Sequence, residues 1–395
     1  MINAAEFDLI DLAHLRGLGS LKWSKFPDTI GAFVAEMDFG TAPVVTEALH
    51  AAVDVGLFGY LPESVSVAMS EASAAWHRSV YGWDIAAKQV HPIADVIKGL
   101  EIAIEHYSRP GAPVILPTPA YMPFLSVPST LRRKIIQVPL ILTDGAYRMD
   151  LDGLEAAYRA GGDLLILCNP YNPVGKVFTA DELTEISEVV TRHGGRVFSD
   201  EIHSPLVFSG AKHVPYASLS AETAGHSVTA TSASKAWNIP GLKCAQFIVS
   251  NDADTDVWNG IGYLASHGAS NLGVVANTAA FSSGRGWLEA VLAYLDTNRL
   301  LLANLIAQHL PGVRYAPPQG TYIAWLDCRD LAVDMPPAEF FRARAGVALT
   351  DGADCGEAGE GFVRMVFATP RPILEQAVTR MGQAVASAPA GSPPS

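Results

Sequence analysis

The sequence predicts an α/β fold: a mostly parallel sheet covered by helices, followed by a smaller α+β region. Three observations carry that reading. Six short, continuously apolar runs rich in β-branched residues lie at 114–116, 135–138, 164–168, 197–199, 228–231 and 246–249. Helical patterns separate them, and Gly, Pro and Asp bound them. Strands that are apolar throughout are buried on both faces, as in a parallel sheet. After about residue 285 the texture changes to one long helix and then to strand, helix, strand, helix. A chain of 395 residues is also too long for one compact core.

Taken in order, residues 1–40 are broken by Gly17, Gly19, Pro27 and Gly31 and end on an extended segment, 33–39. Pro43 opens a helix over 44–55, because proline fits a first helical turn. A loop, Phe58-Gly-Tyr-Leu-Pro62, leads to a second amphipathic helix over 65–81. Within the alternating region, Thr179 is the N-cap of a helix over 180–191. A long helix spans 286–310. Beyond it come the segment 320–327, a helix near 337–344, a glycine-rich turn over 352–361, a strand over 362–367 and a last helix. The predicted organisation is an N-terminal segment (1–42), a large domain (43–284), a small domain (285–386) and a low-complexity, disordered tail (387–395).

The formal net charge of −13 argues against nucleic acid or an anionic membrane as a partner. The four cysteines, Cys168, Cys244, Cys328 and Cys355, have neither metal-ligand spacing nor a disulfide pattern, so no metal is expected and reduced thiols in a reducing compartment are. The N-terminus lacks the apolar core of a signal peptide, and no run of about 18 apolar residues exists. A cytoplasmic enzyme acting on a small molecule is the expectation.

In such sheets ligands bind at the carboxyl ends of the strands. Three of these ends carry chemistry. Cys168-Asn-Pro-Tyr-Asn-Pro-Val-Gly175 forms a rigid loop that presents Asn172 as a donor; a plain turn is the bland alternative. Ser199-Asp-Glu-Ile-His203 places Asp200 where a buried acid needs a partner. Thr231-Ser-Ala-Ser-Lys235 places Lys235 among Ala, Ser, Trp237 and Ile239, with no acid closer in sequence than Glu222 or Asp252. Alone, that lysine reads as one that snorkels to water. With Asn172 and Asp200 at neighbouring strand ends, it reads as an amine held for carbonyl chemistry. An aldehyde cofactor with a pyridine ring uses all three: the amine for its aldehyde, the carboxylate for its ring nitrogen, the amide for its phenolic oxygen.

These motifs, in this order and spacing, resemble the pyridoxal-phosphate enzymes of the aspartate-aminotransferase fold (fold type I). Within that fold, Val34-Ala-Glu-Met-Asp-Phe39, Gly59-Tyr60, Pro117-Thr-Pro-Ala-Tyr121, Asp200-Glu-Ile-His203 and the run from Phe362 to Arg371 are most similar to the MalY/PatB-type cystathionine β-lyases, or C–S lyases. The resemblance implies a mostly parallel seven-stranded sheet in the large domain and a small domain drawn from both termini. It implies pyridoxal 5′-phosphate as cofactor, with Lys235 as its anchor and proton carrier and Asp200 on the ring nitrogen. Asn172 would hold the phenolic oxygen, His203 would stand where aminotransferases place a tyrosine, and Tyr121 would stack on the ring. The phosphate would lie on the backbone at Val96 and Ile97, with Ser232, Ser234 and Lys243 as further donors. Tyr60 would arrive from the second subunit of a homodimer and share in catalysis. Arg364 would bind the substrate α-carboxylate as a two-pronged donor, with Tyr121 and Asn172 also facing the substrate. Phe33 and Glu36 replace the Trp and first Asp more usual in the family, and Lys243 stands where many aminotransferases carry Arg.

The implied activity is α,β-elimination: cleavage of L-cystathionine or another cysteine S-conjugate to a thiol, pyruvate and ammonia, in sulfur amino-acid metabolism. An aminotransferase of class I/II is the alternative, and a non-catalytic regulatory binding role is a remote one. Ser232-Ala-Ser-Lys235 also matches the Ser-x-x-Lys of penicillin-recognising hydrolases, but the Ser-Asp-Asn and Lys-Thr-Gly strings of that class do not occur. Phosphate-loop and dinucleotide fingerprints do not occur either.

Overall fold

A computed structural model describes residues 4–388 of the chain. Its centre is a seven-stranded sheet, with strands β1 (Val90–Ile93), β2 (Val114–Thr118), β3 (Ile135–Pro139), β4 (Leu164–Cys168), β5 (Arg196–Asp200), β6 (Ser227–Thr231) and β7 (Ala245–Val249). The spatial order is β1-β7-β6-β5-β4-β2-β3. Only β7 runs against its neighbours, pairing antiparallel with both β1 and β6. The remaining contacts in the sheet are parallel. Strands β2, β4, β6 and β7 are buried along their whole length, which is why they lack charged residues and read as apolar or β-branched runs. The sheet therefore brings the carboxyl ends of β4, β5 and β6 side by side, in the register Cys168–Asp200–Ala230.

Strand β1 escapes a sequence reading because Pro92 interrupts it. It sits at the sheet edge, where a missing N–H is tolerated. Its turn leads at once into the helix Val96–His106, capped by Asp95, whose side chain accepts from the Lys98 amide at 2.8 Å. The helix Ala180–His193 starts as predicted at Thr179, in a reciprocal capping box with Glu182, and stops at Gly194. Pro43–Asp54 and Glu63–Tyr81 pack on the helix Asn271–Ser283, which the sequence reading passed over.

A second, three-stranded antiparallel sheet is built from Ile323–Asp327, Phe362–Val366 and Thr350–Asp351. The long helix Arg285–His309 packs against the last helix, Arg371–Ala386. By length and mean hydropathy Arg285–His309 could cross a membrane, unlike what the sequence suggested. Here it is a core helix: Trp287, Val291, Leu295, Leu302 and Ile306 are buried in one cluster with Phe7, Trp23, Trp237 and Phe367. That cluster joins residues from both ends of the chain beneath the segment that carries Lys235. Most of the tail predicted to be disordered, 389–395, lies outside the described residues.

The segment 33–39 departs from expectation. It is a series of bends, not an extended strand; only Ile30–Gly31 pairs, in parallel with Val347–Ala348. The reason lies in where its carbonyls point. Phe33 and Ala35 offer theirs to side chains of the site described next, so no neighbouring strand can use them.

Candidate active site

Lys235 follows β6 and is partly buried by residue surface, yet its amine lies deep in the protein. Nζ donates to the carbonyl oxygen of Ala35 at 3.1 Å. Loss of hydration, with the Arg364 charge nearby, brings the ammonium down from 10.5 to about 8, against the opposing pull of Glu36 and Asp200. The loop is held from both sides. Asn238, in the left-handed region at φ 57°, accepts from the Met37 amide at 2.9 Å and donates to the Met37 and Gly40 carbonyls. Asparagine tolerates that conformation better than most residues, which gives a physical reason for its place three residues after the lysine.

Asp200, the last residue of β5, is 4% exposed. One oxygen, Oδ1, accepts from the Ile202 amide at 3.0 Å. Burial raises its carboxyl from 3.8 to about 7, aided by the neighbouring Glu201 and opposed by the Ile202 hydrogen bond and Lys235. His203 is also buried, and its Nδ1 has no partner. Burial and the charges of Lys235 and Arg364 push its imidazole down to about 3, so the ring is neutral.

Asn172 is fixed by the loop after β4. The Tyr171 hydroxyl donates to Pro117 O at 2.6 Å, and the Gly175 amide to Tyr171 O at 2.7 Å. Gly175 must be glycine: its φ is +72°, and a Cβ there would lie 2.2 Å from the Pro318 side chain. Arg364 reaches Asn172 from the second sheet, NH1 donating to Oδ1 at 3.2 Å. With its carbonyl taken, the Asn172 amide nitrogen is left as the free donor. Arg364 also donates through NH2 to Phe33 O at 3.0 Å and lies 3.4 Å from Thr350 Oγ1, while its Nε is unpaired. The guanidinium is 3% exposed, and among the described residues no carboxylate lies within ion-pair distance. A buried cation without an anion is costly unless a ligand supplies one.

Tyr121 caps the helix Met122–Thr130 and lines one cavity of about 620 Å³ with Lys235 and Arg364. Burial raises its hydroxyl, on which the charges of Arg364, Asp200 and Asp95 also act. Close by, the Val96 and Ile97 amides open a helix and have no intrahelical acceptor.

Three predicted residues stand differently. Ser232 was expected to donate outward, but its hydroxyl donates to Cys244 O at 2.7 Å and accepts from the Ser234 amide at 3.0 Å. It shapes the turn and has no proton to spare, whereas the Ser234 hydroxyl has no partner among the described residues. Lys243 is half-exposed and paired with Asp95 at 2.8 Å, neutralising a carboxylate at the head of the helix. Tyr60 is 89% exposed, near His267 at 6.2 Å between ring centroids, on a surface groove of about 1010 Å³ separate from the cavity that holds Lys235.

The residues fit pyridoxal phosphate: a buried amine, a buried carboxylate with one oxygen to offer, a free amide donor, and amides and a hydroxyl for a phosphate. A sequence reading missed what holds them. Lys22 and Asp38, with side chains 1% and 3% exposed, pair at 2.8 Å, and Trp23 Nε1 donates to the other Asp38 oxygen at 2.8 Å. Lys22 also donates to Glu36 O at 3.2 Å, and the Tyr322 hydroxyl to Ala35 O at 3.0 Å. This clamp holds the segment whose Phe33 and Ala35 carbonyls meet Arg364 and Lys235. A lysine and an aspartate 16 apart carry no sequence signal for it, although Asp38 lies in the quoted Val34–Phe39 motif.

Comparisons with known proteins agree with this geometry. The profile of the class I and II aminotransferases matches residues 31–381. A cystathionine β-lyase of Corynebacterium glutamicum is 36% identical over 94% of this chain and 98% of its own length. The cystathionine β-lyase PatB of Bacillus subtilis is 31% identical over 93% and 97%. The crystal structure of a PLP-bound C–S lyase from Staphylococcus hominis superposes with a TM-score of 0.88, at 28% identity, covering 96% of this chain and 99% of that one.

Proposed function

The chain belongs to the class I and II aminotransferase family, and we propose that within it this is a pyridoxal-phosphate-dependent C–S β-lyase, releasing a thiol, pyruvate and ammonia from L-cystathionine or another cysteine S-conjugate. The observation that carries the reading is one cavity in which a depressed amine, Lys235, stands beside an unpaired buried guanidinium, Arg364, in a chain whose lyase relatives match it nearly end to end.

When bound, the cofactor supplies an electron sink for negative charge at the substrate Cα. The protein's own groups do the rest. Arg364 takes the α-carboxylate with the donor it has free, and so fixes Cα relative to Lys235. Lys235, close to neutrality at about pH 8, takes the Cα proton at Nζ. Asp200 keeps a proton on the ring nitrogen, where its burial makes an ion pair strong. Asn172 donates its amide to the phenolic oxygen, and buried, neutral His203 adds no charge to the site. The Val96 and Ile97 amides, with Ser234, receive the phosphate.

Purified protein given L-cystathionine, with no keto acid added, is expected to release pyruvate. Amine transfer that requires a keto acid, with no pyruvate formed, would sink the lyase reading in favour of an aminotransferase. The enzyme is further inferred to be a cytoplasmic homodimer with shared sites, which the exposure of Tyr60, Phe58 and Tyr263 around one groove supports. Its four cysteines are buried and free, in keeping with a reducing compartment. Mixing Tyr60→Ala and Lys235→Ala subunits tests the sharing. Hybrid dimers should regain activity that neither parent has; mixtures as inactive as their parents would refute it.

A further inference from the structure

Asp200 is followed at once by a second buried acid, Glu201, which touches neither Lys235 nor Arg364 by any hydrogen bond or ion pair among the described residues. Glu201 is 1% exposed, and its amide donates to Ala230 O at 2.8 Å, one residue past the end of β5. Both of its oxygens are held. Oε1 accepts from the Ser199 hydroxyl and from the Tyr216 amide, each at 2.9 Å, and Oε2 lies 3.0 Å from His213 Nε2. Among the described residues, no lysine or arginine lies within ion-pair distance of it. His213 is itself buried, and its Nδ1 has no partner. A proton on Nε2 satisfies the contact with Glu201, whereas a second on Nδ1 would be a buried donor without an acceptor. The pair therefore keeps the negative charge of Glu201. Its other titratable neighbours, His77 and Tyr81 of the helix Glu63–Tyr81, are held uncharged by burial, which lowers the first and raises the second. Around Asp200 stand the amine of Lys235, and Cys168 and Tyr121, whose protons burial also retains.

A buried carboxylate is costly, and a pin for the Tyr216 segment does not require one, because a neutral glutamine oxygen accepts from Ser199 and Tyr216 equally well. We propose that Glu201 is a positioning residue that acts through Asp200: its buried charge penalises a bare Asp200 carboxylate and so favours the protonated cofactor ring that cancels it. The proposal rests on the reading in which Asp200 meets the ring nitrogen. A lone Asp200 carboxylate next to Glu201 is a pair of like charges in a dry site. A carboxylate paired with a protonated ring is neutral overall and escapes most of that repulsion. Burial, and then Glu201, raise the Asp200 carboxyl to about 7.

The test is the affinity of the full chain, stripped of cofactor, for pyridoxal phosphate, read from absorbance at pH 5 and pH 8 in the parent and in Glu201→Gln. Removing the charge should raise Kd about tenfold at pH 8, where Asp200 is mostly ionised, and hardly at pH 5, where it is protonated. The pH midpoint of the stability change caused by Asp200→Asn, followed in urea, should fall by about one unit when Glu201→Gln is also present. Loss of a mere pin would change the affinity equally at both pH values. Glu201→Leu/His213→Leu removes the same charge and fills the space; it should shift both quantities in the same direction and serves if Glu201→Gln does not fold. Equal Kd ratios at pH 5 and pH 8, or a midpoint that stays where it was, would overturn the proposal while leaving the lyase reading intact. If Asp200→Asn itself changes cofactor affinity at neither pH, the placement of Asp200 on the ring fails, and the role of Glu201 with it.

Discussion

Replacing Asp200 by Asn tests the electrostatics of the site without reference to turnover. Asparagine keeps an oxygen for the Ile202 amide, which Asp200 accepts at 3.0 Å, but cannot ionise. The carboxyl is raised from 3.8 to about 7, chiefly by burial. Such a group binds its proton more tightly in the folded chain. Its contribution to stability is present below about pH 4 and is lost as pH rises to about 7. At about 1.4 kcal/mol for each pH unit, the loss is on the order of 4 kcal/mol. Cofactor-free Asp200→Asn protein should therefore match the parent at pH 4 and exceed its stability at pH 8 by several kcal/mol, while pyruvate release nearly disappears. Urea unfolding of both proteins after cofactor removal, at a series of pH values, measures the difference directly. Adding pyridoxal phosphate to the parent should raise its melting temperature more at pH 8 than at pH 5. A stability difference that is flat from pH 4 to pH 8 would refute the reasoning, because it would mean that Asp200 ionises in the folded chain as easily as in the unfolded one.

Other consequences follow from the same geometry. With the Lys235 amine at about 8, capture of pyridoxal phosphate by the cofactor-free chain should quicken as pH rises to about 8 and then level off, seen as the rate of yellow colour formation; a rate still climbing tenfold per unit beyond pH 9 would contradict the depressed amine. Arg364→Lys should lower kcat/KM by about 10- to 100-fold, mainly through KM, because a point charge cannot hold Asn172, Phe33 and a carboxylate at once. Lys22→Met should cost about 3–5 kcal/mol by leaving Asp38 buried without its cation, and Lys22→Met/Asp38→Leu should recover part of it; a loss below about 1 kcal/mol in chemical unfolding would show the pair to be no clamp.

The sequence by itself determined the sheet and the chemical groups. Leu164–Cys168 is apolar throughout, and Ser227–Thr231 is built of small and β-branched residues, because both faces of the sheet are covered; composition alone identifies them. Asn172, Asp200 and Lys235 follow such runs, and a parallel sheet must gather its strand ends on one side. Strand β1 was hidden by Pro92, whose cost vanishes only because the strand is at an edge, and edge position is a property of the assembled sheet. The inward hydrogen bonds of Ser232 were hidden as well, since a serine's proton goes to whichever acceptor the fold brings near, here Cys244 O. Arg364 shows the division most clearly. Its place in a strand is legible from the sequence, but its lack of an anion is not. Only the tertiary structure carries it 192 residues from Asn172 in the chain to 3.2 Å in space, against the Phe33 carbonyl of a segment that the buried Lys22–Asp38 pair helps to hold. Local patterning records which surfaces are covered; it does not record which charges are left without partners, because that depends on contacts between residues far apart in the chain.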